Sequence, residues 1–174
     1  MAFADMILDD LLQLVAQGNT EALAQLYQKT DKAVYAYALS ILRCAHDAED
    51  VLQECFIKIF HSATYYKPNG KPMAWILTIA RNLSMDILRR RSRTVELSEN
   101  AWLNLAAADT TDDDRLILTS CMELLDETER QIVVLHVVAG FKHRQVAEFL
   151  GLSLSNVLSK YHRSIRKMKR RVQE

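Results

Sequence analysis

Residues that interrupt helices or cross-link chains are scarce in this sequence. Among 174 residues there are four glycines, two prolines and three cysteines. The rest is rich in Ala, Leu, Ile, Arg, Lys, Glu and Gln, and most of these residue types favour helices. We therefore expect an all-α fold, arranged as one domain or two small ones.

The cysteines and histidines are too widely spaced to indicate a metal site or a disulfide framework. There is no Cys-x-x-Cys pair and no second cluster of ligands. Cysteines at this spacing are expected to be buried free thiols, and we expect neither a metal nor a cofactor. The residues concerned are Cys44, Cys55, Cys121, His46, His61, His136, His143 and His162.

Long hydrophobic runs are also absent. The longest apolar run covers Ile132–Leu135 and continues at Val137–Ala139, far short of the roughly 20 residues that span a bilayer. The N-terminus carries Asp5, Asp9 and Asp10 instead of a basic start followed by an apolar segment. We expect a soluble, cytoplasmic protein without membrane insertion.

Charge is distributed unevenly along the chain, although the net charge is zero. Residues 1–60 sum to −5, residues 61–93 to +6, residues 94–114 to −6 and residues 115–174 to +5. Two basic blocks on an acidic tether indicate two nucleic-acid-facing units. We predict domains at 1–93 and 115–174, joined by an acidic linker at 94–114. Such a linker suits a basic channel on a protein partner, or is simply solvated.

Helical periodicity predicts four helices in the N-terminal unit. The first covers about residues 5–17, the second begins at Thr20, the third near Asp47, and the fourth covers Ala74–Arg93. Asp47 can accept hydrogen bonds from the first turn of the third helix. One side of that helix is apolar; the other is mostly acidic, an arrangement that is often just solvated. The polar side carries Glu49, Asp50, Gln53, Glu54 and Lys58.

The fourth helix combines an apolar stripe with a polar side that ends in arginines. Arg89, Arg90, Arg91 and Arg93 are offset only by Asp86. We interpret this side as DNA-facing, the alternative being a solvated helix end whose cations complement the macrodipole. The stripe comprises Ile76, Ile79, Ala80, Leu83 and Ile87, and the polar side Thr78, Arg81, Asn82, Met85 and Arg89.

The segment before this helix, TYYKPNGKP, contains both prolines and reads as a loop. Tyrosines beside lysines suit single-stranded nucleic acid, because rings stack on bases and ammonium groups follow phosphates. An aromatic loop packed on its own domain is the alternative. The candidate contacts are Tyr65, Tyr66, Lys67, Asn69 and Lys71.

The C-terminal unit carries a helix-turn-helix pattern. After a helix ending near Leu125, Thr128 caps a helix that stops at Gly140; a short helix, a turn at 151–153 and a long helix from Leu154 follow. The long helix has donor-rich side chains at its front, which read base edges in a major groove. Its rear attracts phosphates. The front carries Asn156, Ser159, Lys160 and Arg163, and the rear Arg166, Lys167 and Arg170.

The order of these segments over nearly the whole chain resembles the extracytoplasmic-function group of bacterial sigma-70 sigma factors. The segments are AEDVLQECFIKIF, the Tyr/Lys/Gly loop, AWILTIARNLSMDILRRR, the acidic linker, and LLDETERQIVVLHVVAGFKHRQVAEFLGLSLSNVLSKYHRSIRKMK. The resemblance implies a non-enzymatic, two-domain subunit that binds core RNA polymerase and recognises minus-10 and minus-35 promoter elements. It also implies control by an anti-sigma factor.

Site residues follow from the resemblance position by position. Polymerase docking, on the beta-prime clamp helices, falls on Glu49, Asp50, Gln53 and Glu54. Minus-10 recognition falls on Tyr65, Tyr66, Lys67, Asn69, Lys71, Trp75, Arg81, Asn82, Arg89 and Arg90. Minus-35 recognition falls on Ser155, Asn156, Ser159, Lys160, Arg163, Arg166 and Lys167. The linker would follow the polymerase's RNA path, and the beta subunit is a second expected contact.

The recognition helix departs from the family's TVKSR-like run, since this chain has Asn156-Val157-Leu158-Ser159-Lys160. Lysine in place of arginine exchanges a bidentate fork for a point charge. The promoter preference of relatives should therefore not be carried over. Leu158 lies on the apolar stripe, where it covers extra core or contacts a partner.

Two other function classes are weighed against this interpretation. A free-standing helix-turn-helix regulator would need only the C-terminal unit, and leaves the acidic helix and the aromatic loop unexplained. A hydrolase or nuclease would use Asp47, Glu49, Asp50 and Glu54, but no His, Cys or Lys partner accompanies these carboxylates.

Overall fold

The computed structural model describes residues 2–68, 70–90, 102 and 112–173. In these ranges the chain forms eight α-helices and one 3-10 turn at Ala63–Tyr65, which confirms the all-α prediction. The helices are α1 (Ala2–Ala16), α2 (Thr20–Leu42), α3 (Ala45–Ser62), α4 (Pro72–Arg90), α5 (Asp112–Glu123), α6 (Glu127–Val137), α7 (His143–Leu150) and α8 (Leu154–Gln173). The predicted linker at 94–114 lies outside the described residues except for residue 102 and the start of α5.

Two predicted helix caps are wrong. Helix α3 begins two residues before Asp47, so that this carboxylate lies inside the first turn and is buried. Helix α6 is capped by Asp126 instead of Thr128: Asp126 Oδ1 accepts from the Glu129 N–H at 2.7 Å, and Glu129 Oε2 accepts from the Asp126 N–H at 3.1 Å. This reciprocal pair satisfies two backbone donors at once, which Thr128 cannot do. Helix α6 also ends at Val137, before Gly140.

The N-terminal cluster is built around α2. Helices α1, α3 and α4 all pack on it, and its residues 33–42 are buried on every side. Leu12, Leu26, Ile59 and Ile76 are fully buried in this cluster. Each such side chain contributes about 1.5–3 kcal/mol relative to exposure, so the amphipathic stripes predicted for these helices define the core.

The C-terminal cluster confirms the predicted helix-turn-helix. Helices α5, α6 and α7 pack on α8, and Ile132, Leu135 and Val157 are fully buried. Gly151 ends α7 with a φ of +68°, a left-handed conformation that glycine adopts without strain. The N–H of Leu152 returns to the carbonyl oxygen of Ala147 at 2.9 Å, which fixes the turn.

The two clusters contact each other through α2 and α6, an arrangement that the sequence did not predict. The buried Arg130 of α6 donates to the carbonyl oxygen of Ser40 at 3.3 Å and to that of Leu125 at 2.5 Å. The rings of Tyr37 and Phe149 meet edge to face, with centroids 5.7 Å apart. We call this α2–α6 and α2–α7 contact the domain seam.

An ion pair also spans the domain seam. Lys71 Nζ lies 2.6 Å from Glu148 Oε1. Beneath this pair is an apolar cavity of about 490 Å³, lined in part by Leu8, Met73 and Phe141. The pair joins a loop of the N-terminal cluster to the first helix of the helix-turn-helix.

One residue of the predicted linker is packed into the core. Trp102, in the predicted linker, is 4% exposed and belongs to the buried core.

The three cysteines are free thiols: Cys55 and Cys121 are buried and Cys44 is half-buried. Within the described ranges, no helix combines the length and apolar character needed to cross a bilayer.

Candidate polymerase and nucleic-acid interfaces

The acidic side of α3 is open to solvent. Glu49, Asp50, Gln53 and Glu54 are all exposed, while Val51, Cys55, Phe56 and Ile59 on the other side are buried. Asp50 lies 3.8 Å from His46, but both side chains are more than half exposed, so this pair contributes little stability. The four candidate docking residues therefore share one accessible face.

A shallow groove runs beside this face, between α3 and α4. It is lined by Asp50, Glu54 and Ile57 on α3 and by Leu83 and Arg90 on α4, among others. Ile57 is 53% exposed and stands among polar neighbours. Sequence reasoning missed it, although an isoleucine one turn after Gln53 on a polar face was a usable signal.

The polar side of α4 is arranged as the sequence predicted. Thr78, Arg81, Asn82, Met85 and Arg89 are exposed. On the apolar stripe, Ile76, Ala80 and Leu83 are buried, and Ile79 and Ile87 are half-buried.

The basic end of α4 carries its own counter-charge. Asp86 lies 2.5 Å from Arg89, and the two side chains are 45% and 72% exposed. Arg90 is exposed beside them. Arg91 and Arg93 lie outside the described residues.

The aromatic loop divides into an outward part and an anchored part. Tyr65 is 81% exposed, and Lys67 is exposed beside it. Tyr66 is buried: its ring packs on the half-buried Trp75 with centroids 5.0 Å apart, and its hydroxyl donates to the Asp9 carboxylate of α1. Asn69, a candidate from the sequence, lies outside the described residues. Tyr66 therefore fits the alternative of a loop packed on its own domain, whereas the ring of Tyr65 is accessible to a partner.

The start of α8 presents short polar side chains to solvent. Ser155, Asn156 and Ser159 are exposed. Ser153 caps the helix, since its Oγ accepts from the Asn156 N–H at 3.3 Å. Arg163 and Arg166 are exposed further along α8.

Two basic residues of α8 differ from the sequence expectation. Lys160 and Lys167 were placed on the outer face, but Lys160 is 3.1 Å from Asp126 and Lys167 is 2.6 Å from Glu129. The Glu129 side chain is only 1% exposed. Both lysines therefore tie α8 to the capping box of α6.

The Asp126 pair is reflected in the ionisation of its carboxyl. Partial burial alone would raise the pKa of Asp126, but the N–H of Glu129 and the ammonium group of Lys160 outweigh that effect and lower the pKa. The carboxylate is therefore the stable form at this helix junction, which keeps Lys160 attached to α6.

Burial makes the central cysteine unreactive. Cys55 is fully buried, and burial raises the pKa of its thiol to about 12. The thiolate is the nucleophilic and oxidisable form, so Cys55 has the character of a core residue.

Comparison with known proteins assigns both clusters to one family. The Sigma-70 region 2 model matches residues 26–94, and the Sigma-70 region 4 model matches residues 115–168. The ECF RNA polymerase sigma factor SigK of Mycobacterium sp. (strain KMS) is 31% identical to this chain over 97% of it and 92% of the relative. SigK of Mycolicibacterium vanbaalenii is 29% identical over 94% of this chain and 88% of the relative.

Solved structures show the same arrangement of helices. CnrH, in complex with the cytosolic domain of CnrY, matches with a TM-score of 0.67 and 25% identity over 96% of this chain and 97% of CnrH. RpoE of Bartonella quintana, in complex with the anti-sigma factor NepR, shares the fold with a TM-score of 0.69 and 18% identity over 86% of this chain and 96% of RpoE. This chain belongs to the extracytoplasmic-function group of sigma-70 RNA polymerase sigma factors and is not an enzyme.

Proposed function

We propose that this sigma factor docks on core RNA polymerase through α3 and reads promoters with α4, the aromatic loop and α8. The observation that carries the proposal is the separation of charge: one exposed acidic face on α3 and two exposed donor-rich faces on α4 and α8. DNA repels the first face and attracts the other two. The protein acts in the cytoplasm, where the polymerase works.

The α3 face suits a basic partner surface such as the beta-prime clamp helices. Asp50 and Glu54 supply exposed charge that steers association. The exposed Ile57 beside them supplies the apolar anchor that charge alone lacks. Polymerase docking therefore combines long-range attraction with local desolvation.

The aromatic loop and α4 together suit an opened minus-10 strand. Tyr65 is the exposed ring on which an unstacked base can stack, a contact worth about 1–3 kcal/mol. Arg81 and Asn82 offer donors along the adjacent helix side. Tyr66 and Trp75 are assigned a different role: their mutual packing, with the bond to Asp9, holds the loop in place.

The minus-35 element is read by the exposed part of α8. Ser155, Asn156, Ser159 and Arg163 have side chains that hydrogen-bond base edges in a major groove. Arg166 follows as a phosphate contact. Lys160 and Lys167 are assigned to positioning, because their ammonium groups are engaged by α6 carboxylates.

Promoter binding requires the domain seam to open. The two promoter elements are about 25 base pairs apart, which is about 85 Å of duplex. A compact chain of this length has a radius of gyration of about 16 Å, too small to reach both at once. Opening separates Lys71, a candidate minus-10 contact, from Glu148.

The closed form is the proposed target of an anti-sigma factor. CnrH and RpoE, which share this arrangement, are bound to CnrY and NepR respectively. A partner that binds both clusters at the domain seam would hold the chain closed. Pull-down from native cells, with and without stress, should recover such an inhibitor; recovery of polymerase alone under both conditions would contradict it.

Charge reversal at α3 tests the docking surface. The double variant D50K/E54K should abolish co-elution with core polymerase, since two exposed attractive charges become repulsive. The matched control, D10K/E21K, reverses two exposed acids on α1 and α2 and should co-elute like the native chain. Retention of D50K/E54K on the polymerase would contradict the docking role of α3.

A free-standing regulator predicts a different outcome of the same experiment. In that case neither the native chain nor the control would co-elute with polymerase, while duplex DNA would still be bound through α8. The exposed α3 face would then have no assigned partner.

A further inference from the structure

Three helices of the C-terminal cluster meet at a group of imidazole and phenol rings. His136, at the end of α6, stacks on His143, the first residue of α7, with centroids 4.0 Å apart and planes at 28°. Tyr161 of α8 packs edge-on against both, at 4.9 and 4.7 Å. We call His136, His143 and Tyr161 the histidine stack.

The hydrogen bonding of the histidine stack disfavours protonation of His143. His136 Nδ1 lies 2.7 Å from the carbonyl oxygen of Phe141, and because a carbonyl only accepts, this nitrogen carries the proton. His143 Nε2 is buried and has no hydrogen-bond partner among the described residues. Protonation there would create a buried donor and a charge without an acceptor, which is costly.

Neighbouring imidazoles add to the effect of this burial. His143 faces His136 from α6, and Tyr161 and His162 from α8. Burial, followed by His136 and His162, lowers the pKa of His143. Two imidazolium rings at stacking distance would repel each other strongly, so acid conditions oppose this packing.

We propose that the histidine stack makes the helix-turn-helix acid-sensitive: protonation loosens α7 against α6 and α8 and weakens duplex binding by α8. The DNA part rests on the proposed function of α8, whereas the loss of packing does not. Because the folded-state pKa of His143 is lowered, its stabilising contribution is present above the unfolded value of about 6.5. That contribution is lost as pH falls through the folded pKa.

The direction in which DNA affinity changes on acidification distinguishes the histidine stack from a general gain of charge. His46, His61 and His162 are exposed, and any general gain of positive charge near DNA strengthens phosphate binding. The histidine stack predicts the opposite, a weaker complex at low pH. The two effects can therefore be separated by replacing single residues.

The first test follows the packing in the full chain. His143→Phe keeps a ring in the stack but removes the titration, and His143→Tyr serves if the Phe variant folds poorly. Proton NMR from about pH 8 to about pH 5 should show one histidine resonance, absent from the variant, that titrates below the ordinary range. Amide hydrogen exchange of α7 and α8 should accelerate in acid in the native chain and much less in the variant.

The matched control is His46→Gln, which removes an exposed histidine on α3. It should keep the native acid response of α7 and α8. A His143 resonance that titrates at its ordinary pH, or an equal acid response in His143→Phe, would overturn the proposal.

The second test measures binding of a fluorescent mixed-sequence duplex at constant salt. On acidification over the same range, the native chain should lose affinity relative to His143→Phe, by at most about tenfold for each unit by which the pKa is lowered. Parallel titration curves for the two proteins would overturn the effect on DNA. Absence of duplex binding at every pH would instead contradict the proposed function, leaving the exchange result to decide the packing.

Discussion

The two basic helices of this protein hold their charges in different ways. On α4, Arg89 is exposed and pairs with a carboxylate of its own helix, Asp86. On α8, Lys160 and Lys167 turn toward another helix and pair with carboxylates at its start. A basic run on a helix therefore overstates the charge offered to DNA when the first turn of a packed neighbour is acidic.

The difference also separates stability from recognition. An exposed pair such as Asp86–Arg89 contributes about 0–1 kcal/mol. The pair between Lys167 and the buried Glu129 supports both a helix cap and the α6–α8 contact. Basic residues thus remain exposed in one region and support folding in the other.

The largest expected effect comes from removing Glu129. Glu129→Ala should destabilise the C-terminal cluster by about 3 kcal/mol, because it abolishes the capping box and leaves Lys167 without its partner. Chemical denaturation, with hydrogen exchange to locate the change, measures this. Asp86→Ala is the matched control and should cost less than about 1 kcal/mol; equal costs would remove the distinction between the two helices.

The next largest expected effect is on minus-35 DNA binding and comes from replacing Arg163. Arg163→Ala should weaken minus-35 binding by about 1–3 kcal/mol while leaving polymerase binding unchanged, if its guanidinium contacts a base. Lys160→Ala should instead lower the stability of the α6–α8 contact. Fluorescence anisotropy on native and scrambled minus-35 duplexes measures the first effect. An equal loss on both duplexes would show that Arg163 contacts only phosphate.

The smallest expected effect concerns the domain seam. Lys71 and Glu148 are 49% and 65% exposed, so their pair contributes at most about 1 kcal/mol. Glu148→Lys should raise the open fraction a few-fold, seen as a larger radius of gyration in small-angle scattering. The charge swap K71E/E148K should restore closure; an unchanged radius in Glu148→Lys would show that buried contacts such as Arg130–Ser40 alone hold the clusters together.

Sequence patterns predicted those features that depend on one helix alone. The exposed and buried sides of α4 follow from its periodicity, and the helix-turn-helix from Gly151 with its flanking apolar residues. The acidic face of α3 was predicted in the same way. These features are set by local spacing, so no knowledge of packing partners is needed.

Features that depend on distant residues were missed. Tyr65 and Tyr66 are neighbours, yet the first is exposed and the second is buried, because Tyr66 packs on Trp75 and donates to Asp9. Lys160 and Lys167 lie 34 and 38 residues from their carboxylates along the chain. The continuous burial of α2 at residues 33–42 depends on α6 as well as on the N-terminal helices, which a single-helix pattern cannot show.

The most direct test of the proposed mechanism is run-off transcription from pooled genomic fragments with purified core polymerase. The native chain should produce new start sites that share two upstream elements, and Arg163→Ala should reduce initiation at those sites. If the protein binds duplex DNA but the polymerase starts at no new sites in its presence, the assignment of α3 to docking and of α4 and α8 to promoter recognition is contradicted.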